Sequence, residues 1–309
     1  MSTEDTLMNE KFSSVFTAFL DPAVDRPSFI GSWLRAKSIP YSVVEIKGKK
    51  HIFIKFGSEA YDPRFKMKTL VAHHDRVNDT EGANDNSAAC FQLLKLAETL
   101  SQAAESAGPR VHNTRIILTD GEEAAGTRGI LAQGSFALGS GFRKLGFSQD
   151  EVFVLDACGR GDTLIVSTAG LDRKMGKALA DKMMNLHAYA KSIARSAAPE
   201  SWLALPTPYS DNAGFLAAGI AAQTITVLPS REATALLAAT RDFALQGAVL
   251  EAVSRNRYGE LSAEAAAAVP QTWKLMHTAE DTASTLNAGA FSLIERFLAR
   301  LTETLEPAL

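Results

Sequence analysis

The sequence has few cysteines, no strong charge excess and no long apolar run, and each absence excludes a class of protein. The two cysteines, Cys90 and Cys158, cannot form a disulfide framework, which is typical of a protein kept in a reducing compartment. The formal net charge is only -3 and no basic stripe carries interleaved aromatic residues, so we expect no nucleic-acid partner. No apolar run approaches the ~20 residues of a membrane span, so we expect no membrane partner either.

The start of the chain also departs from a known pattern. Residues 1–6 are acidic and polar, whereas a secretory signal begins with basic residues and continues with an apolar run. We therefore expect a cytoplasmic protein. Its 309 residues can bury a full core, and no repeat, low-complexity tract or linker divides them, so the sequence predicts a single domain over residues 1–309.

Apolar segments that end in a histidine or an acid are the most informative feature. Residues 68–72, 114–119 and 152–155 each read as a buried strand. The polar side chains that follow these three strands are His73, the Glu122 and Glu123 pair, and Asp156. Ligands of open α/β sheets bind in the crevice outside the carboxyl ends of the strands, so these side chains are expected to converge there.

The remaining segments complete an α/β pattern. Further strands are predicted at 41–46, 51–56, 163–166 and 224–228, and helices at 11–36, 86–100, 171–197 and near the carboxyl terminus. Residues 231–258 and 262–268 are rich in alanine and have high helix propensity. We interpret this stretch, about 231–268, as a helical insertion that forms a lid, a contact in a homo-oligomer, or both.

The polar residues at the strand ends, with two from nearby turns, form a ligand set typical of a transition metal. The set is His73, Asp85, Glu122, Glu123, Asp156 and His277. Imidazole nitrogen and carboxylate oxygen suit Zn²⁺, with Mn²⁺ or Co²⁺ as substitutes in vitro. Two ions about 3.5 to 4 Å apart can share these ligands if one carboxylate bridges them, and Asp85 is the natural bridge.

Glu122 and Glu123 are expected to have different roles. Consecutive side chains that leave a strand point in opposite directions, so one can bind metal while the other handles a proton. Asp75, two residues after His73, is placed to accept the second N–H of that imidazole. Asp211 either supports the site or caps a helix, and His51 is predicted to be a solvated strand residue.

These motifs, taken in order, resemble the co-catalytic zinc aminopeptidase family, which includes bacterial leucyl aminopeptidase, glutamate carboxypeptidase and the glutaminyl cyclases. The resemblance covers about residues 40–305. The blocks that carry it are His73-x-Asp75, Gly82-Ala83-Asn84-Asp85-Asn86, Glu122-Glu123, Asp156, Ser210-Asp211 and His277-Thr278 with Asp281-Thr282.

The resemblance implies a fold, a metal centre and a reaction. The fold would be a mixed, mostly parallel sheet flanked by helices. One zinc would bind His73 and Asp156, the other Glu123 and His277, and Asp85 would bridge them. Glu122 would be the general acid and base in the hydrolysis of an N-terminal peptide bond, with a peptide or aminoacyl compound as substrate.

Two departures from the family pattern keep alternatives open. Aminopeptidases of the family have glycine two residues after the Glu pair, whereas Gly126 lies three after it. Residues 120–124 instead resemble glutaminyl cyclases, although those enzymes carry tryptophan where this chain has Met276. The alternatives are therefore a one-zinc glutaminyl-peptide cyclotransferase-like acyltransferase and an inactive metal-binding protein, and the presence of Glu122 argues against the second.

Overall fold

A single mixed sheet positions the polar strand ends. The computed structural model describes residues 11–108, 110–124, 129–171 and 175–308. Its strands are β1 Tyr41–Ile46, β2 Lys49–Ile54, β3 Lys68–His73, β4 Thr114–Thr119, β5 Glu151–Leu155, β6 Thr163–Ser167, β7 Trp202–Leu205 and β8 Ala222–Leu228. They lie in the order β1-β2-β4-β3-β5-β8-β6-β7. The central strands β4, β3, β5 and β8 are parallel, and antiparallel pairs flank them, which confirms the predicted mixed, mostly parallel sheet.

Helices flank this sheet, as predicted. They are α1 Lys11–Leu20, α2 Arg26–Ala36, α3 Ala88–Ala107, α4 Gly134–Lys144, α5 Lys177–Ala197, α6 Asp211–Ala217, α7 Ser230–Ala239, α8 Phe243–Arg255, α9 Ala263–Ala268, α10 Gln271–Leu275 and α11 Ala288–Glu303. Among the described helices, none combines the length and the apolar character that crossing a bilayer requires.

The alternation of side chains along β3 explains the two layers of core. Leu70 and Ala72 point to one face of the sheet, where they pack with α3, α5 and α11. Val71 points to the other face, where it packs with Leu138 of α4 and Phe215 of α6. Because both faces are covered, β3 is buried along its whole length, and its end can hold a polar residue away from bulk water.

The predicted insertion is helical, as expected, and comprises α7, α8 and α9. These helices form a hydrophobic cluster with one another and with the β6, β7 and β8 side of the sheet. Members of the cluster include Leu228, Leu236, Val249, Ala265 and Trp273. The insertion is therefore packed onto the sheet on the side where α10 leads into His277.

The segment 11–36, predicted as helical with interruptions at Pro22 and Pro27, is two helices, because Asp25 caps α2 by accepting a hydrogen bond from the Ser28 N–H and Pro27 lies in the first turn. Other local predictions were wrong. His51 is fully buried rather than solvated, and its Nδ1 lies 3.3 Å from the Asp120 N–H, which donates to it. The strand β7 and the helix α4 were not predicted.

Lys68, at the start of β3, is buried and ties the sheet to the end of α11. Its Nζ donates to the carbonyl oxygens of Leu301 at 2.8 Å and Thr304 at 2.6 Å. We expect Lys68→Met to lower the free energy of unfolding by about 2 kcal/mol, because buried carbonyls at a helix end would lose a charged donor. Chemical denaturation measures this, and Lys177→Met is the control, because the Lys177 side chain is 90% exposed. An unchanged midpoint for Lys68→Met would contradict the assigned role.

Candidate metal centre

The turn that carries Asp85 is fixed by hydrogen bonds from several elements. Gly82 begins the turn with φ of 55°, and a Cβ there would lie 2.6 Å from the Asp85 carbonyl oxygen, so the position favours glycine. The Asp281 carboxylate accepts the backbone N–H groups of Asn84 at 2.8 Å and Asp85 at 3.0 Å. The Asn86 side chain donates to the Leu155 carbonyl at the end of β5. Asp85 is therefore held where β3 and β5 end.

His73 ends β3 and points its Nε2 toward two carboxylates. This atom lies 3.2 Å from Asp85 Oδ1 and 3.9 Å from Asp156 Oδ2. The neighbouring His74 instead places its Nε2 2.8 Å from the Lys50 carbonyl oxygen. The structure thus distinguishes the two adjacent histidines, since only the side chain of His73 reaches the acidic groups around Asp85.

His277 approaches Asp85 from the other side. Its Nε2 lies 3.1 Å from Asp85 Oδ2 and 3.3 Å from Glu123 Oε2. The backbone at His277 has a φ of 61°, in the left-handed region where asparagine, aspartate and histidine are the non-glycine residues found most often. The two oxygens of Asp85 therefore face different histidines.

Two groups of possible ligands share Asp85. One is His73, Asp85 and Asp156, and the other is Asp85, Glu123 and His277. In each group the ligand atoms lie within 4.8 Å of one another. Within the described ranges, four buried atoms of these residues have no hydrogen-bond partner: His73 Nε2, Asp85 Oδ2, Glu123 Oε1 and Asp156 Oδ1. Donor atoms left unpaired at the same place fit a cation site, because buried polar atoms otherwise find partners.

Burial and the neighbouring charged groups alter several pKa values within this cluster. Burial, followed by the nearby charge of Asp85, raises the pKa of Glu123 to about 8. The Asp85 carboxylate, whose Oδ2 lies 3.1 Å from His277 Nε2, raises the pKa of His277 to about 9. Burial opposes protonation of His73, but its carboxylate neighbours outweigh that effect and raise its pKa well above the usual value. The cluster thus favours added positive charge, whether as protons or as metal.

The Asp75 carboxylate binds the backbone N–H groups of Glu122 and Glu123. Its carboxylate accepts the N–H of Glu122 at 3.2 Å and the N–H of Glu123 at 3.0 Å. Its Oδ1 lies 3.6 Å from His73 Nδ1, whereas its carbonyl oxygen lies 3.2 Å from that nitrogen. The sequence predicted that the Asp75 carboxylate accepts the His73 N–H, whereas the Asp75 carbonyl oxygen is the nearer acceptor, and the bonds to the Glu pair were not foreseen.

Glu122 lies beside the cluster and is held by a residue that the sequence did not point to. Its Oε1 accepts a hydrogen bond from Gln133 Nε2 at 3.0 Å. Gln133 is buried, and it follows a short helical turn at Ile130–Ala132. Burial raises the pKa of Glu122 well above the value of a free glutamate. No sequence signal marked Gln133, since a single glutamine in a loop is usually solvated.

Arg26 is a second residue that sequence reasoning missed. It is 4% exposed, and its guanidinium donates to the carbonyl oxygen of His74 at 3.0 Å and to that of Glu81 at 2.7 Å. It also donates to Ser87 Oγ at 2.7 Å. Arg26 of α2 thus joins the end of β3 to the Asp85 turn. These contacts join residues that are 48 to 61 positions apart in the chain, so no local sequence pattern reveals them.

Asp211 and Gly126 are the remaining residues that the sequence pattern singled out. Asp211 is fully buried and accepts a hydrogen bond from the Thr119 hydroxyl, so it links the start of α6 to the end of β4. Burial raises its pKa to about 6. Ser210, not Asp211, is the N-cap of α6. Gly126 lies outside the described residues.

Solved structures with the same fold include aminopeptidases and a cyclase. The LapA aminopeptidase of Legionella pneumophila superposes with a TM-score of 0.59 at 14% identity, over 94% of this chain and 69% of its own. The zinc aminopeptidase BSAP of Bacillus subtilis gives 0.51 at 17% identity, over 84% of this chain but only 50% of its own. The glutaminyl cyclase of Macrostomum lignano gives 0.57 at 17% identity, over 96% of this chain and 90% of its own.

Sequence comparison identifies the family directly. No curated protein is significantly similar to the chain in sequence. The sequence profile of Peptidase family M28 matches residues 60–302, which include every residue of the two ligand groups. The chain therefore belongs to Peptidase family M28.

Proposed function

We propose that the protein is a two-zinc aminopeptidase, which removes an N-terminal residue from a peptide or aminoacyl compound. The observation that carries the proposal is the position of Asp85, whose two oxygens face His73 at 3.2 Å and His277 at 3.1 Å. A carboxylate shared in this way is the bridging ligand that a pair of ions requires. The aminopeptidases with the same fold support the same reaction class.

The two ligand groups have the composition that zinc favours. In the proposal, His73 and Asp156 would hold one ion, Glu123 and His277 would hold the other, and Asp85 would serve both. Zinc bound at these positions would supply a Lewis acid that polarises the scissile carbonyl. Mn²⁺ or Co²⁺ can substitute, because the ligands are imidazole and carboxylate rather than thiolate.

Glu122 is the proposed general acid and base. It accepts a hydrogen bond from Gln133 through Oε1, which fixes the carboxylate and leaves Oε2 for a proton from the attacking water. The same carboxyl group then delivers this proton to the leaving amine. Asp75 orients the Glu pair through the two backbone N–H groups that it accepts, so both glutamates keep their separate positions.

A glutaminyl cyclase is the second candidate, because the cyclase of Macrostomum lignano matches this chain over nearly its whole length. That reaction joins the N-terminal amine of a glutaminyl peptide to its own side-chain carbonyl and releases ammonia. It cleaves no peptide bond and, in our proposal, would use one zinc. Its products therefore distinguish it from the aminopeptidase.

The deciding experiment combines metal analysis with two substrate classes. We expect about two zinc ions per chain by mass spectrometry of the purified protein. We also expect free amino acid to be released from aminoacyl amides and no ammonia from N-terminal glutaminyl peptides with a blocked carboxyl end. Chelator-treated protein is the control, and restoring zinc should restore activity. One zinc with ammonia release would replace this proposal by the cyclase, and metal without either activity would contradict both.

A further inference from the structure

We propose that the helical insertion positions His277, and that Glu232 of α7 is the residue through which it does so. The inference rests on the proposed two-zinc function, because His277 belongs to only one of the two ligand groups. The hydrogen-bond partners of Glu232 are Arg160 and Thr272 rather than a ligand. Glu232 is therefore a positioning residue, and its loss should weaken one zinc site and leave the other intact.

The surroundings of the His277 side chain fix it less firmly than those of His73. The His73 side chain is 1% exposed, and its Nδ1 lies 3.2 Å from the Asp75 carbonyl oxygen. The His277 side chain is 46% exposed, and among the described residues its Nδ1 has no hydrogen-bond partner. A metal-binding histidine usually has such a partner, which sets the orientation of the ring. The backbone around His277 must therefore hold this ligand in place.

The backbone after His277 is anchored at Asp281. The Asp281 carboxylate accepts the N–H groups of Asn84 at 2.8 Å and Asp85 at 3.0 Å, and the Asp281 carbonyl accepts the Ala83 N–H at 3.2 Å. These bonds tie the segment to the turn that carries the shared ligand. A segment held at one end alone can still pivot, so the position of His277 also depends on the residues before it.

Glu232 holds the residues before His277. Its Oε2 accepts the Thr272 N–H at 2.9 Å and the Thr272 hydroxyl at 2.7 Å. Its Oε1 accepts Arg160 Nη1 at 2.8 Å, and Arg160 also donates to the Thr272 hydroxyl. Arg160 lies in the loop that follows Asp156, so these bonds connect the insertion, α10 and the end of β5. Thr272 is 1% exposed, and hydrogen bonds shielded from water are stronger than exposed ones.

Other contacts seat α10 on the insertion. Trp273 is 2% exposed and packs in the hydrophobic cluster of α7, α8 and α9, and Met276 packs against the same cluster. The Trp273 carbonyl accepts the Tyr258 hydroxyl at 3.2 Å, and Lys274 Nζ donates to the Ala266 carbonyl of α9 at 3.0 Å. With only five residues, α10 is too short to be stable as an isolated helix. Its position therefore comes from the insertion.

Zinc affinity tests the proposal without any turnover. Competition with a chelator of known affinity measures each zinc site on the unaltered protein and on the Glu232→Ala protein. We expect Glu232→Ala to lower the affinity of one site by about tenfold and to leave the other unchanged, because changes to the outer partners of zinc ligands cost about 10- to 100-fold.

Two further backgrounds identify the site that is affected. In an Asp156→Asn protein the remaining zinc would be held by the group that contains His277, so adding Glu232→Ala should weaken it by about tenfold. In a His277→Ala protein the remaining zinc would be held by the group that contains His73, so adding Glu232→Ala should have no effect. A role confined to general stability would not produce this difference.

Matched variants control for the loss of a charge and for folding. Glu251→Ala makes the same change on the same insertion, where the Glu251 side chain is 62% exposed and pairs with Arg255 of its own helix, and it should leave both sites unchanged. Glu232→Gln keeps an oxygen that can accept from Thr272, so it should bind zinc more tightly than Glu232→Ala. Thr272→Val removes only the hydroxyl and should weaken the same site, so the test does not depend on the folding of Glu232→Ala alone.

The outcomes separate this proposal from the two-zinc function. Equal weakening of both sites by Glu232→Ala would indicate a general loss of structure and would overturn the positioning role. Unchanged affinities in both Glu232→Ala and Thr272→Val would also overturn it, and in either case the two-zinc function would stand. If the unaltered protein binds a single zinc that His277→Ala and Glu232→Ala both weaken, the two-zinc function fails while the positioning role stands.

Discussion

Replacing Glu122 by glutamine is expected to lower kcat/KM by at least about 100-fold and to leave zinc content unchanged. Glutamine has the same size and can still accept the hydrogen bond that Gln133 donates at 3.0 Å. It cannot take a proton from water or return one to the leaving amine. Steady-state kinetics and metal analysis on the same sample measure the two effects.

The control for this substitution is Glu200→Gln, which makes the same chemical change on an exposed loop. It should leave both activity and metal content at the original values. A Glu122→Gln protein that keeps its activity would contradict the general-base role. A protein that instead loses zinc would show that Glu122 binds metal, since its carboxylate lies within 4.8 Å of ligand atoms of His73 and Glu123.

The sequence was sufficient to predict that His73 and Asp156 lie close together, because each follows a strongly patterned segment. The buried apolar run of β3 ends at His73, and the buried apolar run of β5 is followed directly by Asp156. Parallel strands place their carboxyl ends at one edge of a sheet, so the convergence of these side chains followed from the strand pattern alone. The family resemblance then supplied the pairing of ligands around Asp85.

The supporting contacts could not be predicted, because they join residues that are far apart in the chain. Arg26 reaches the Glu81 carbonyl and Gln133 reaches Glu122, and neither contact leaves a periodic trace in the sequence. The error at His51 has a similar origin. A strand pattern does not reveal that Gly134 packs against it, and a Cβ at Gly134 would lie only 2.9 Å from the His51 ring. Packing between distant segments thus decided what local patterns could not.

Asp85→Asn is expected to remove both zinc ions, because Asp85 belongs to both ligand groups. The amide nitrogen of asparagine is a hydrogen-bond donor and cannot replace the carboxylate oxygen that faces His73 or His277. Changes to the outer partners of zinc ligands alone weaken binding by about 10- to 100-fold, so we expect loss of the shared ligand to weaken it by at least about 100-fold. Metal analysis after dialysis should find less than about one zinc per chain, and amide hydrolysis should be undetectable.

A pair of comparisons makes this result specific to a bridging role. Asp156→Asn alters only the group with His73, so it should retain about one zinc, held by Glu123, His277 and Asp85. Asp79 lies on the exposed part of the loop between His73 and Asp85, so the Asp79→Asn protein should retain both ions. If Asp85→Asn and Asp156→Asn lose the same amount of zinc, Asp85 serves a single ion. The two-zinc mechanism would then give way to a one-metal reaction, for which the cyclase is the candidate with the same fold.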